Sequence, residues 1–201
     1  MEKSNVCEVG FKLDRDFSYY HNMLINKGFK NVFNCETWDR YWSNKNFDGM
    51  SENEIKRNCV RFRCNRNLME NEFTNGGFQN YLIFDNLAEN FFSCFMDSLP
   101  EFEEKFNKYG WNMVFDTKKK DYQYAIDDMK SRIQLQDIEG VGLLLYYDNP
   151  DYYELPIGEQ RKKLIDELNS YGFEFKYSDL GLDKLRTLYY KKECFSENQN
   201  G

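Results

Sequence analysis

Two charged pairs at strand spacing carry the chemistry legible in this chain. Glu8 and Lys12 lie in the run Cys7-Glu8-Val9-Gly10-Phe11-Lys12-Leu13, where an extended backbone sends them to one face and Val9, Phe11 and Leu13 to the other. Arg61 and Arg63 repeat the device in Val60-Arg61-Phe62-Arg63. Fixed charges recurring on several strands suit a sheet whose polar face curls round an anionic, metal-bound ligand. Taken singly, each strand also fits an ordinary antiparallel sheet with water on its charged side. The chemistry in view is the grip of fixed cations on an anion, beside a carboxylate able to meet its metal.

Three helices of common pattern are expected to position these strands. The first spans about 16–27, with Phe17, Tyr20 and Leu24 on one face, and ends at Gly28-Phe29. A second starts at Pro100, aligns Phe102, Phe106 and Tyr109, and ends at Gly110-Trp111. The third covers about 159–171, aligns Leu164, Leu168 and Tyr171, and ends at Gly172-Phe173. Each glycine falls where a left-handed cap belongs. A weak helix start with a capping box is read at Ser51-Glu52-Asn53-Glu54. Extended segments are expected at 30–42, 59–66, 80–84, 112–116, 122–126, 131–135, 142–147, 173–177 and 185–190. Many strands without βαβ alternation predict an α+β domain over 1–190, built on a large antiparallel sheet with flanking helices. Closure into a barrel would hide the strand edges. Residues 191–201, almost without apolar side chains, read as a frayed tail.

A length of 201 residues suffices for one domain with a proper core, and 41% hydrophobic residues exclude general disorder. The net charge of −7 argues against general nucleic-acid binding through phosphates and leaves only a local basic cavity open. No apolar run is long enough for a membrane span and no basic-then-apolar leader is present, so a cytoplasmic protein is expected. Its six cysteines show no paired spacing and read as reduced thiols. The lone histidine, His21, cannot complete a zinc motif and reads as a structural residue beside Tyr20.

In order along the chain, these motifs resemble the CYTH superfamily of triphosphate tunnel proteins, which includes inorganic triphosphatases, thiamine triphosphatases and class IV adenylate cyclases. The family's ExExK strand is similar to Glu8-Val9-Gly10-Phe11-Lys12, and its paired-arginine strand resembles Arg61-Phe62-Arg63. Its basic KxR strand resembles Lys118-Lys119-Lys120. The run LDxVxGLGxFxExE is matched by residues 135–148, and SYxxL by Lys176-Tyr177-Ser178-Asp179-Leu180. The departures fall on acids. Gly10, Gln136 and Tyr146 stand where the family has carboxylates, and in Asp85 through Phe91 only Glu89 survives, with Leu87 and Phe91 in place of charges.

The resemblance implies an antiparallel, tunnel-like barrel and a small triphosphate or nucleotide as partner. Arg61, Arg63, Lys118 and Lys120 would form the phosphate clamp, Tyr146 would add an aromatic wall, and Glu8 and Lys12 would act in catalysis. Glu8, Glu89 and Asp148 would hold Mg²⁺ or Mn²⁺. Three activities follow from it: a metal-dependent phosphohydrolase, a binding module without turnover, and a nucleotidyl cyclase.

Overall fold

The computed structural model describes residues 8–68, 79–84, 92–95, 99–126 and 131–179. Helix α1 (Phe17–Asn26) is capped by Asp16, whose side chain accepts the Tyr19 amide at 2.8 Å. Helix α2 (Glu52–Asn58) carries the reciprocal capping box of Ser51 and Glu54. Lys105 and Lys108 occupy the last turn of α3 (Leu99–Lys108), where the helix dipole favours cations. Helix α4 spans Ile157–Ser170. Gly28, Gly110 and Gly172 follow three of these helices with φ of 90°, 76° and 103°, so the expected left-handed stops are present.

The strands are β1 (Val9–Lys12), β2 (Lys30–Ser43), β3 (Val60–Asn67), β4 (Gln79–Phe84), β5 (Phe92–Phe95), β6 (Asn112–Ala125), β7 (Ile133–Ile138) and β8 (Gly142–Tyr147). They follow the order β1-β8-β7-β6-β2-β3-β4-β5 in one sheet. The β1–β8, β7–β8, β2–β3, β3–β4 and β4–β5 pairings are antiparallel. The fold is therefore α+β with a large antiparallel sheet. Its order has two ends, β1 and β5, and among the described residues no pairing joins them, so closure into a barrel is not observed.

Two expectations change. Strand β6 runs unbroken through the lysine run, because Thr117, Lys119 and Asp121 are buried while Asp116, Lys118 and Lys120 are exposed, a two-faced strand rather than a turn. Residues 173–177 form no strand. The Asn169 side chain takes the place of a neighbouring strand there, accepting the Phe175 amide at 2.8 Å and donating to its carbonyl at 3.0 Å. The segments 185–190 and 191–201 lie outside the described residues.

The chain divides into two compact units. One comprises Met1–Asn34, Lys120–Ile138 and Gly142–Leu182, the other Cys35–Lys119, Glu139–Val141 and Asp183–Gly201. In the first, the apolar faces of β1, β7 and β8 (Val9, Phe11, Ile133, Leu135, Leu145, Tyr147) are covered by Tyr20 and Leu24 of α1 and by Leu164, Ile165 and Leu168 of α4. Each such side chain contributes about 1.5–3 kcal/mol by leaving water. The second unit buries Trp42 of β2 and Val60, Phe62 and Cys64 of β3 against Phe102 of α3. In both units the helices take one side of the strands and leave the polar side chains on the other. No helix among the described residues is long and apolar enough to cross a membrane.

Candidate anion-binding site

The polar side of β2 and β3 is built by register. Asp39 stands opposite Arg63 and Tyr41 opposite Arg61. Residues two apart share a face, so Thr37, Asp39 and Tyr41 meet Asn65, Arg63 and Arg61 as three successive pairs. The Thr37 hydroxyl donates to Asn65 Oδ1 at 2.8 Å. Asp39 is 2% exposed and takes a bidentate grip from Arg63, with Nε donating to Oδ1 at 2.6 Å and Nη2 to Oδ2 at 2.7 Å. Nη1 of Arg61 lies 3.6 Å from Oδ2 of the same carboxylate.

Burial by itself would raise the pKa of Asp39. The charges of Arg63 and Arg61, the bonds from Arg63 and the charge of Lys119 outweigh it and hold the carboxyl well below the usual range. For Arg63, burial disfavours the cation, and the Asp39 charge and bonds more than offset that and raise its pKa. Removing one member of such a buried pair typically costs about 3–5 kcal/mol, because the survivor keeps its desolvation penalty without its partner.

The third cation is Lys119, not its neighbours. Phe115, on the same face of β6, stacks on Tyr41 at 4.2 Å between ring centroids, which sets the phase of the strand. Lys119 is 8% exposed and acts on Asp39, whereas Lys118 faces the other way, 5.0 Å from the centroid of Trp38. Lys120 is exposed as well. Strand alternation turns the middle lysine, rather than the expected Lys118 and Lys120, towards the buried carboxylate and its arginines.

In the other unit, Gly10 pairs with Tyr146 and Tyr146 with Gln134. Tyr146 is buried, its ring lying beside Gly10. The Asp121 carboxylate accepts from Gln134 Nε2 at 2.7 and 2.8 Å and from Gln136 Nε2 at 2.9 Å. Glu8 is exposed, and its charge reaches the Tyr153 phenol, which donates to Asp148. Lys12 lines a cavity of about 410 Å³ with Asp14, Arg15, Tyr19, Glu174 and Phe175. Glu89, the third expected metal ligand, lies outside the described residues, as do Leu87 and Phe91. His21 is half-buried in α1 with Nδ1 2.8 Å from the Tyr124 hydroxyl, a structural contact.

Of the three carboxylates that the resemblance assigns to a divalent ion, Glu8 and Asp148 lie among the described residues and Glu89 does not. Among the described residues no three acidic, histidine or cysteine groups gather. Asp39 is committed to guanidinium groups, Asp121 accepts from glutamine amides and Asp148 from Tyr153. Sequence reasoning missed Asp39, Lys119, Asp121 and Gln134. The alternation of Thr37, Asp39 and Tyr41 was a signal for the first, but only the register shows that it faces Arg63.

No known family's sequence profile matches the chain, and no curated protein does either. Solved structures do. The PH1819 protein from Pyrococcus horikoshii OT3 superposes with a TM-score of 0.64 at 15% identity over 94% of this chain and 98% of that one. The PH1012 protein from the same organism gives 0.55 at 18% identity over 88% and 94%. A protein from Vibrio parahaemolyticus described as a "putative adenylate cyclase" gives 0.53 at 11% identity over 86% and 95%. The chain shares its fold with these proteins over 86–94% of its length.

Proposed function

We propose that the chain is a CYTH-like protein that binds a small triphosphate or nucleotide, with Arg61, Arg63 and Lys119 as the groups that grip the phosphates. The observation that carries this reading is the buried Asp39, which gathers two guanidinium groups and an ammonium on the polar side of the strands. Three cations around one carboxylate leave a positive excess among these four groups, in a chain whose net charge is −7. A local positive field in low-dielectric surroundings is what a polyphosphate requires, and guanidinium forks match its oxygens two at a time. In this reading the sheet closes around the ligand as a tunnel. Cys35, Cys59 and Cys64, buried thiols, suit a reducing compartment such as the cytoplasm.

The second reading is a divalent-metal-dependent phosphohydrolase. It is favoured by the meeting of Glu8 and Asp148 at Tyr153, two carboxylates of the expected metal set in one neighbourhood. A cyclase, which the resemblance allows and the description of the Vibrio parahaemolyticus protein names, is the least supported, because the acidic set such a reaction needs is depleted here. Calorimetric titration with tripolyphosphate, ATP and thiamine triphosphate, with chelator and then with Mg²⁺ or Mn²⁺, tests the first reading. Heat of binding without product supports the binding module, and phosphate release supports the hydrolase. Pyrophosphate with a cyclic product from ATP would mark a cyclase. No binding to any of the three would overturn the proposal.

A further inference from the structure

We propose that Asp39 is a positioning residue for anion capture: it fixes the plane of Arg63 so that the remaining Nη1 donors of that guanidinium meet a naked polyphosphate, it holds the charge of Arg61 alongside, and it takes no part in holding a metal. The inference rests on the triphosphate reading above. Its ground is the commitment of both carboxylate oxygens. Oδ1 accepts from Arg63 Nε, while Oδ2 accepts from Arg63 Nη2 and faces Arg61 Nη1 at 3.6 Å. A guanidinium gripped through Nε and Nη2 cannot rotate about its last side-chain bonds. Its Nη1 edge is then held in a set direction with no protein partner among the described residues.

Without the carboxylate the arginines would not stay together. They stand two residues apart on one face of β3 and repel one another. Lys119 adds a third like charge from β6. A carboxylate between them offsets that repulsion while the fold is still empty of ligand, so the donors need little reorganisation when an anion arrives. Binding strength gained this way comes from preorganisation rather than from new contacts.

Charge and geometry make opposite forecasts here. By charge alone, a carboxylate beside a polyanion site is unfavourable, and removing it should tighten binding. If Asp39 works by positioning, removing it should weaken binding although the site becomes more positive.

The test is calorimetric titration of tripolyphosphate in the presence of chelator into the full chain, its Asp39→Asn variant and its Asp39→Glu variant, with thermal unfolding of each recorded alongside. The expected result is binding by the unaltered protein, at least tenfold weaker binding by Asp39→Asn, and weaker binding by Asp39→Glu, which keeps the charge and misplaces it by one methylene. Equal or tighter binding by a folded Asp39→Asn overturns the positioning role and leaves the triphosphate reading intact. Wild-type affinity in Asp39→Glu overturns it likewise. Failure of the unaltered protein to bind tripolyphosphate without metal overturns this role, whereas the triphosphate reading falls only if tripolyphosphate, ATP and thiamine triphosphate all fail to bind with Mg²⁺ or Mn²⁺ as well. Should Asp39→Asn not fold, the unaltered protein still decides. Its Arg63 Nε–H resonance, assigned by its loss in Arg63→Lys, should keep its hydrogen-bonded shift when tripolyphosphate is added. A move to the position of a solvent-exposed arginine would show that binding breaks the Asp39 contact and would overturn the proposal.

Discussion

The ring of Tyr146 lies across the β1–β8 pair against the backbone of Gly10, with Cε1 only 2.9 Å from where a Cβ on Gly10 would stand. Two of the positions at which the chain departs from the CYTH pattern are therefore one structural event. The aromatic ring occupies space that a side chain at position 10 would need, and glycine is what admits it.

That contact makes a coupled prediction. Gly10→Glu alone should destabilise the protein by about 1–3 kcal/mol through overpacking, and the cost should fall when Tyr146→Glu is made with it. Denaturant unfolding of the single and double variants reads the coupling. Strict additivity would mean that the ring yields freely.

The three consecutive lysines should separate by function. Lys119→Ala is expected to weaken tripolyphosphate binding by about ten- to a hundredfold, as the loss of a charge-assisted contact of about 1.5–3 kcal/mol would do, with Arg61→Ala having an effect of similar size. Lys118→Ala should change affinity little, because its ammonium lies by the Trp38 ring on the other face. A titration in which Lys118→Ala matches Lys119→Ala would refute the face assignment.

Asp39 should leave its mark on acid stability. Its carboxyl titrates well below the ordinary value of 3.8 in the folded protein, so its contribution is complete above that value and is lost as pH falls from about 4 towards the lower folded value. Unfolding free energy measured across acid pH should therefore drop over this window, and Asp39→Asn should flatten the drop. The same slope in both proteins would assign the acid loss to other groups.

The alkaline limb has a different source. Burial, then the hydrogen bond to Asp14, pushes Tyr20 up to about 12, and burial with the bond to Asp148 does the same for Tyr153. A phenol with a raised folded pKa contributes stability that is present below its ordinary value of 10 and is lost as pH climbs towards 12. Ultraviolet titration of phenolate should show late-ionising tyrosines in the folded protein that join the rest in denaturant, and Tyr20→Phe should remove one of them.

Glu8→Gln separates the two functional readings. It keeps shape and hydrogen bonding but removes a hard anionic ligand, so any Mg²⁺-dependent phosphate release should disappear while chelator-resistant binding of tripolyphosphate persists. Turnover with unchanged metal dependence would take Glu8 out of the chemistry.

Local patterns in the chain determined the helices and most strands, because caps and periodicity act between near neighbours. Gly28, Gly110 and Gly172 stop helices with positive φ, and the box of Ser51 and Glu54 starts one. Alternation likewise identified Arg61 and Arg63 as a pair on one face. Which partners that face meets is a matter of register, and register is set by contacts between strands distant in sequence. Only the tertiary structure decided that Asp39 stands opposite Arg63, that the stack of Phe115 on Tyr41 turns Lys119 rather than Lys118 to the buried face, and that Asn169 replaces a strand neighbour for Phe175. A shift of one residue in any pairing would send every side chain to the opposite face, which is why the charged residues were legible and their assembly was not.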